Sequence, residues 1–341
     1  MYKRLLSLMT LVIVLMLISD VALATAPFYE GKVMQIVVGA PAGGGFDAYA
    51  RLVARHMAKY IPGHPTIIVV NMPGAGFRIA ANHLYRVAKP DGLAMGHIHA
   101  GIFWAQLFGD AGVEFDAPKY EYVGAATKEE NVVVLTKASG ITNMDKWMNS
   151  KTPVKFAADP GYSSLAIVPR ILRAALGLPI RVISGYKGGP DIRLAMEGGE
   201  VDGFSLPWDS VKIQYRKALE TGDVVVLLQI VPKPFPDLPN VPLAIDFAKT
   251  DEARQLIEVG IHSPSIYGRP FVLPPGTPRA QVQILQTAFQ ETLKDKDFLA
   301  EGQKARMRIA PVSGEDLIKH ITGFFKMEPT LVTKLKDSLT K

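Results

Sequence analysis

Beyond its first two dozen residues the chain alternates short β-branched runs with longer stretches whose apolar positions recur every three to four residues. That alternation predicts α/β units around a mainly parallel sheet. The predicted strands are 33–39, 66–71, 93–98, 131–136, 154–158, 181–184, 201–205, 224–230 and 266–273. The predicted helices are 47–60, 77–88, 163–176, 190–198, 208–220, 250–260, 278–293, 296–306 and 314–337, the last broken near Pro329. In the first helix Tyr49, Leu52, Val53, His56, Met57 and Tyr60 share one face, a stripe suited to burial against a sheet.

Two segments interrupt the alternation. Residues 124–131 (GAATKEEN) separate strand-like runs, and 231–242 (VPKPFPDLPNVP) hold too many prolines for a regular helix or a central strand. Read as crossings, they divide the chain into a discontinuous first domain, 25–127 with 228–341, and an inserted second domain, 128–227. Two crossing segments make a hinge.

The N-terminus has the order of an export signal. Lys3 and Arg4 precede the apolar run 5–18, and Ala22-Leu23-Ala24 sets small residues at the cleavage spacing, so a signal peptide of residues 1–24 cut after Ala24 is expected. The alternative is a retained anchor, but the run is shorter than the ~20 residues a spanning helix needs. With no cysteine among 341 residues, disulfide scaffolds, Cys-ligated zinc, iron–sulfur clusters, thiol nucleophiles and lipoprotein processing are all excluded. The net charge of +6 is carried by singly scattered Lys and Arg. Export would put nucleic acid out of reach, so this charge supports at most a mild preference for anionic ligands.

Candidate chemistry concentrates at strand–helix junctions. In Gly39-Ala40-Pro41-Ala42-Gly43-Gly44-Gly45-Phe46-Asp47, consecutive glycines let backbone N–H groups turn inward, and Asp47 can cap the helix that follows. Such a helix start favours a carboxylate or phosphate; no Lys-Ser/Thr follows the glycines, so it is not a nucleotide-hydrolase loop. The second junction, 71–78, contains Gly74-Ala75-Gly76-Phe77-Arg78-Ile79-Ala80, which formally satisfies a dinucleotide fingerprint. The next strand ends in Gly96-His97-Ile98-His99 instead of an acidic residue for a ribose hydroxyl, which weakens that reading. His97 and His99 lack a third ligand nearby in sequence and read as core or cleft lining. Tyr162-Ser163-Ser164 lacks the G-x-S-x-G elbow of hydrolases. Glu129, Glu130, Glu197 and Glu200 read as exposed charge; Trp104, Trp147 and Trp208 read as packing residues, Trp208 being the one nearest a ligand.

These residues carry a resemblance. The PAGGGFDAYAR block (41–51), NMPGAG (71–76), Pro90-Asp91-Gly92, GYKGG (185–189), EGGEVD (197–202), PDLPNVP (236–242) and LPPGTP (273–278) resemble, in order along nearly the whole mature chain, the Bug family. These are the extracytoplasmic substrate-binding proteins of tripartite tricarboxylate transporters. The resemblance implies a two-domain periplasmic binding protein of type II-like α/β fold, with a cleft for a small mono- or dicarboxylate between the domains. It further implies membrane permease subunits as partners, a monomeric receptor, no cofactor, no metal and no catalytic residues.

By matching position, Gly44, Gly45, Phe46, Asp47, Gly74, Ala75, Gly76 and Phe77 would form one jaw. Asp159, Pro160, Gly161, Tyr162, Ser163, Ser164, Tyr186, Lys187 and Gly188 would form the other, with Asp202 capping or orienting a loop beside it. Ser163 and Ser164 each suit either a helix cap or an anion contact. The chain departs from the family pattern at Phe46, where a small hydroxyl residue is usual, and at Phe77, where glycine is usual. Larger apolar walls suit a bulkier acid. Arg78 reads as a surface residue or a partner for a second carboxylate, and Pro169 calls for a late start or a bend in the helix after Ser164. The other functional classes left open are a secreted enzyme, dinucleotide-dependent or hydrolytic, and a receptor used for sensing instead of uptake.

Overall fold

The computed structural model describes residues 26–340 together with Tyr2. The predicted signal, apart from Tyr2, and its cleavage point lie outside the described residues. Eleven strands are described: β1 (Val33–Val38), β2 (Thr66–Asn71), β3 (Ala94–His97), β4 (Glu121–Ala125), β5 (Asn131–Thr136), β6 (Val154–Ala158), β7 (Ile180–Ser184), β8 (Gly203–Pro207), β9 (Val224–Ile230), β10 (Phe271–Leu273) and β11 (Val312–Ser313). They form two sheets flanked by helices, in the orders β11-β4-β10-β3-β1-β2 and β7-β6-β8-β5-β9.

The α/β architecture is as expected, but the sheets are mixed and not mainly parallel. Only β1–β2, β1–β3, β6–β7 and β6–β8 pair in parallel. The antiparallel pairs involve β4, β5, β9 and β10, the strands that border the two crossings between sheets. A chain returning from the other lobe needs no right-handed helical crossover, so either direction is open to it.

Several element limits also differ. Residues 266–273 are not one strand: the helix Asp251–Ile257 continues through a π-helical turn (Glu258–His262) to Ile266, and β10 begins only after Pro270. The 208–220 helix divides at Tyr215, and the last helix is two, Gly314–Phe324 and Pro329–Thr340. The helix Ser164–Leu176 runs through Pro169 without a late start. Proline there removes only a bond to the helix's second residue. The proline-rich segment holds no helix or strand, as its composition predicts.

Tyr49, Leu52, Val53 and Met57 of the helix Gly45–Met57 are buried in the first-sheet core with Ile36, Val38 and Phe271. Each such side chain contributes about 1.5–3 kcal/mol. Trp104 and Trp147 are fully buried packing residues. No helix among the described residues is long and apolar enough to cross a membrane.

Parallel register places the site. Val38 pairs with both Asn71 and His97, so the loops after β1, β2 and β3 leave the first sheet along one edge. Ala158 pairs with Ser184, so the loops after β6 and β7 leave the second sheet together. Ligands bind at such carboxyl ends of parallel strands.

Candidate ligand-binding cleft

The first jaw is built of backbone. Gly44 is the N-cap of the helix Gly45–Met57 and offers no side chain, so the first helical amides lack an intrahelical acceptor. Asp47 sits one turn in and ties the two loops together. Its carboxylate accepts from Gly43 N–H at 2.9 Å, Arg51 Nε at 2.9 Å and Asn71 Nδ2 at 3.0 Å, and Asn71 also donates to Ala40 O at 2.9 Å. Burial alone would raise the Asp47 carboxyl, but these donors, Arg51 foremost, hold it below its usual range.

The second loop of this jaw is strained. Gly74, Ala75, Gly76 and Phe77 all have positive φ, at 141°, 45°, 58° and 74°. For Ala75 and Phe77 this is a conformation that L side chains rarely adopt, and it persists only where surroundings enforce it. The Phe77 ring lies against Phe46, with centroids 4.6 Å apart, and over Gly39, where a Cβ would come within van der Waals overlap of its edge.

The facing jaw uses side chains more. Ser163 caps the helix Ser164–Leu176, accepting from Leu165 N–H at 3.2 Å and donating to Asp159 Oδ1 at 2.5 Å. Asp159 also accepts from Gly161 N–H at 3.2 Å; burial raises its pKa in spite of these bonds. The jaws touch. A Cβ on Gly76 would lie 2.5 Å from Asp159 Oδ2 and 2.7 Å from Gly161 Cα. Tyr49 donates to Asp209 at 2.9 Å, and Tyr162 to Asp110 at 2.9 Å, each bond crossing between the lobes.

Between the jaws lies a cavity of about 280 Å³. Its floor is charged. His99 Nε2 is 2.7 Å from Glu129 Oε1, Arg269 Nε is 3.9 Å from Glu129 Oε2, and Arg269 Nη2 donates to Ser210 Oγ at 2.8 Å. The guanidinium carbon stands 4.6 Å from the Phe46 ring centroid. Burial would raise the Glu129 carboxyl; His99 foremost, then Arg269 and the Ser164 hydroxyl, outweigh it and lower the pKa.

Of the residues expected at the site, Gly44, Gly45, Phe46, Gly74, Ala75, Gly76, Phe77, Asp159, Pro160, Ser163, Ser164, Tyr186, Lys187 and Gly188 line this cavity. Four do not. Asp47 is turned to its own loop by the three donors above. Gly161 and Tyr162 face a separate cavity behind the jaw contact, where Arg78 also lies, donating to Ala111 O at 3.2 Å. Asp202 accepts from Lys155 N–H at 2.8 Å, tying the start of β6 to the segment before β8. Trp208 is directed away as well, its indole N–H donating to Asp237 at 2.8 Å. Glu129 is not exposed: it is buried beneath the cavity, while Glu130 pairs with Arg308. His97 is buried and stacked on Phe271, whereas His99 lines the cavity.

Sequence reading missed Arg269, Ser210 and Gln214, all cavity-lining. Arg269 fell within a run read as a strand. The one available signal was Pro270, which argues against an unbroken strand at that point.

Comparison with known proteins agrees with this geometry. A UPF0065 protein of Bordetella bronchiseptica is 25% identical over 306 residues, covering 87% of this chain and 81% of its own. The structure of the periplasmic binding protein BugD matches with a TM-score of 0.75 at 21% identity, covering 91% of this chain and 98% of that one. A Rhodopseudomonas palustris protein solved with adipate matches with a TM-score of 0.71 at 18% identity, over 91% and 98% of the two chains. Residues 49–336 match the TctC family, described as the tripartite tricarboxylate transporter family receptor. The chain belongs to that receptor family.

Proposed function

We propose that the protein is an exported receptor that captures a small organic carboxylate between its two lobes and presents the closed form to a membrane permease. The observation that carries this reading is the enclosure: helix starts and strand ends from both sheets converge on one cavity of about 280 Å³ while the lobes touch around it. A ligand that contacts both jaws has interactions in the closed state that an open state lacks, so it shifts the population toward closure. Membership of the receptor family and the adipate held by a structural relative support a carboxylate as ligand. On this reading the ligand is bound and released unchanged, and residues 25–127 with 228–341 move as one lobe against 128–227.

The test is a carboxylate panel on the purified mature chain. A true ligand at about 100 times its Kd raises stability by ~2.7 kcal/mol. Uptake of that ligand then falls when the partner permease is deleted. A chain stabilised by nucleotides or turning over esters, and by no carboxylate, overturns the proposal.

A further inference from the structure

The floor of the cavity holds an incomplete charge arrangement. Arg269 is 1% exposed and lines the cavity, yet its Nε and Nη1 have no hydrogen-bond partner among the described residues. Among the described residues its one hydrogen bond uses Nη2, and the one carboxylate paired with it, Glu129, is 3.9 Å from Nε, beyond hydrogen-bonding distance. Glu129 Oε2 is likewise unpartnered, because the carboxylate is held through Oε1 by His99. Leaving such donors unmade in a buried site costs free energy, and charged donors cost more than neutral ones. The guanidinium is held in place by the Phe46 ring at 4.6 Å, the Tyr49 ring at 5.4 Å and Ser210, so it is rigid and poorly hydrated before any ligand arrives.

We infer that Arg269 receives the ligand's carboxylate, and that the ligand is a monocarboxylate with an aromatic or similarly bulky apolar body. The inference rests on the receptor reading above and narrows it. Two features set the class. The Phe46 ring lies against the guanidinium, and Phe77, Leu165 and Leu206 are also among the residues lining the cavity, so much of its wall is apolar. The remaining buried charged wall is acidic: Glu129 and Asp159 both line the cavity, so a second ligand carboxylate meets like charge there. Lys187 lies at the exposed rim. With Glu129 already paired to His99, the one buried guanidinium lacking a hydrogen-bonded carboxylate, the buried Asp159 and the ring-bearing walls match an anion of single charge better than a dianion.

Calorimetric titration of the mature chain tests this with benzoate, phenylacetate and cinnamate, their amides, and adipate and malate. At least one aromatic monocarboxylate is expected to bind ~10- to 150-fold more tightly than its amide and more tightly than either dicarboxylate. R269Q is expected to lose the same factor, and R269K to recover only part of it, because an ammonium lacks the planar fork. Should R269Q fold poorly through the charge left on Glu129, the R269Q/E129Q double variant removes that charge and carries the same prediction. If a dicarboxylate is preferred, or if the folded variants bind within threefold of the parent, the inference fails while the receptor reading stands. If the parent chain binds none of these acids, the inference fails as stated. If wider screening of carboxylates also yields no ligand, the receptor reading falls with it.

Discussion

The rim and the floor of the cleft are made of different material. The rim is backbone: glycine-rich turns after β1 and β2 that present amides at helix starts. The floor is side chain: His99, Glu129, Ser210 and Arg269 drawn from four separate stretches of chain and locked by charge. A backbone rim grips any carboxylate of suitable size, since every residue type supplies the same N–H. A floor of fixed charges discriminates, since it works only for a ligand whose charge and shape complete it. The rim would thus supply the shared grip and the floor the choice of ligand.

The largest effect is expected at the floor. E129L removes one member of a buried charged group and strands Arg269, which costs about 3–5 kcal/mol of stability. Adding R269M, which removes the stranded charge too, is expected to return most of that loss. Equilibrium urea unfolding of both variants reads this directly. If E129L unfolds at the parent's midpoint, the floor is not a coupled charge unit and the contrast with the rim collapses.

The next effect belongs to the rim and concerns shape. Gly76 has φ 58°, and any Cβ there runs into Asp159 and Gly161 of the opposite lobe. G76V is therefore expected to oppose closure by about 1–3 kcal/mol, weakening ligand ~5- to 150-fold. Small-angle scattering of the ligand-free variant should show a larger radius of gyration. Unchanged affinity would mean that closure does not bring these two loops together.

This contrast also explains what the sequence could tell. The rim was legible because its chemistry is local: nine residues from Gly39 to Asp47 contain a strand end, the glycines and the helix start. Only the direction of Asp47 was hidden, because its three donors include Asn71, on a different strand. The floor was not legible. Glu129 looks like solvated charge beside Lys128 and Glu130, and only the second crossing, which brings Gly268 and Arg269 against it, buries it. The fold behaves alike. Strands with a clean β-branched run, such as β2, β5 and β9, were located to the residue, whereas β4 and β11 draw their strand character from pairing with distant partners.

Beneath the floor, His97 gives the contrast a pH dependence. It is stacked on Phe271 at 4.0 Å, has its Nδ1 3.3 Å from Pro270 O, and leaves Nε2 without a partner. Burial lowers its pKa from 6.5 to about 3. Between these values the unfolded chain takes up a proton that the folded chain refuses. Stability is therefore complete above pH 6.5 and falls as pH drops toward 3, by up to about 1.4 kcal/mol per unit. Glu129 adds to the decline further down, since its folded carboxyl lies below the usual range. H97F is expected to flatten the slope between pH 6 and 5 while leaving the steeper fall in acid. Denaturation midpoints across that range that overlay those of the parent would remove His97 as the cause.

The smallest effects separate two adjacent serines on the facing jaw. Ser163 Oγ already accepts from Leu165 N–H and donates to Asp159, so its hydroxyl proton is committed to the protein. Ser164 is the first residue of the same helix and lines the cavity beside Glu129. S163A is thus expected to lower stability by about 1 kcal/mol, the usual value of an N-cap, with a slight effect on affinity. S164A is expected to do the reverse, leaving the unfolding midpoint near the parent's and weakening ligand by ~2- to 10-fold, the value of one neutral hydrogen bond. Paired melting and titration of the two variants decide it. Were S163A to lose affinity and S164A stability, the cap and the ligand contact would have to be exchanged, and this jaw would be arranged more like the floor than the rim.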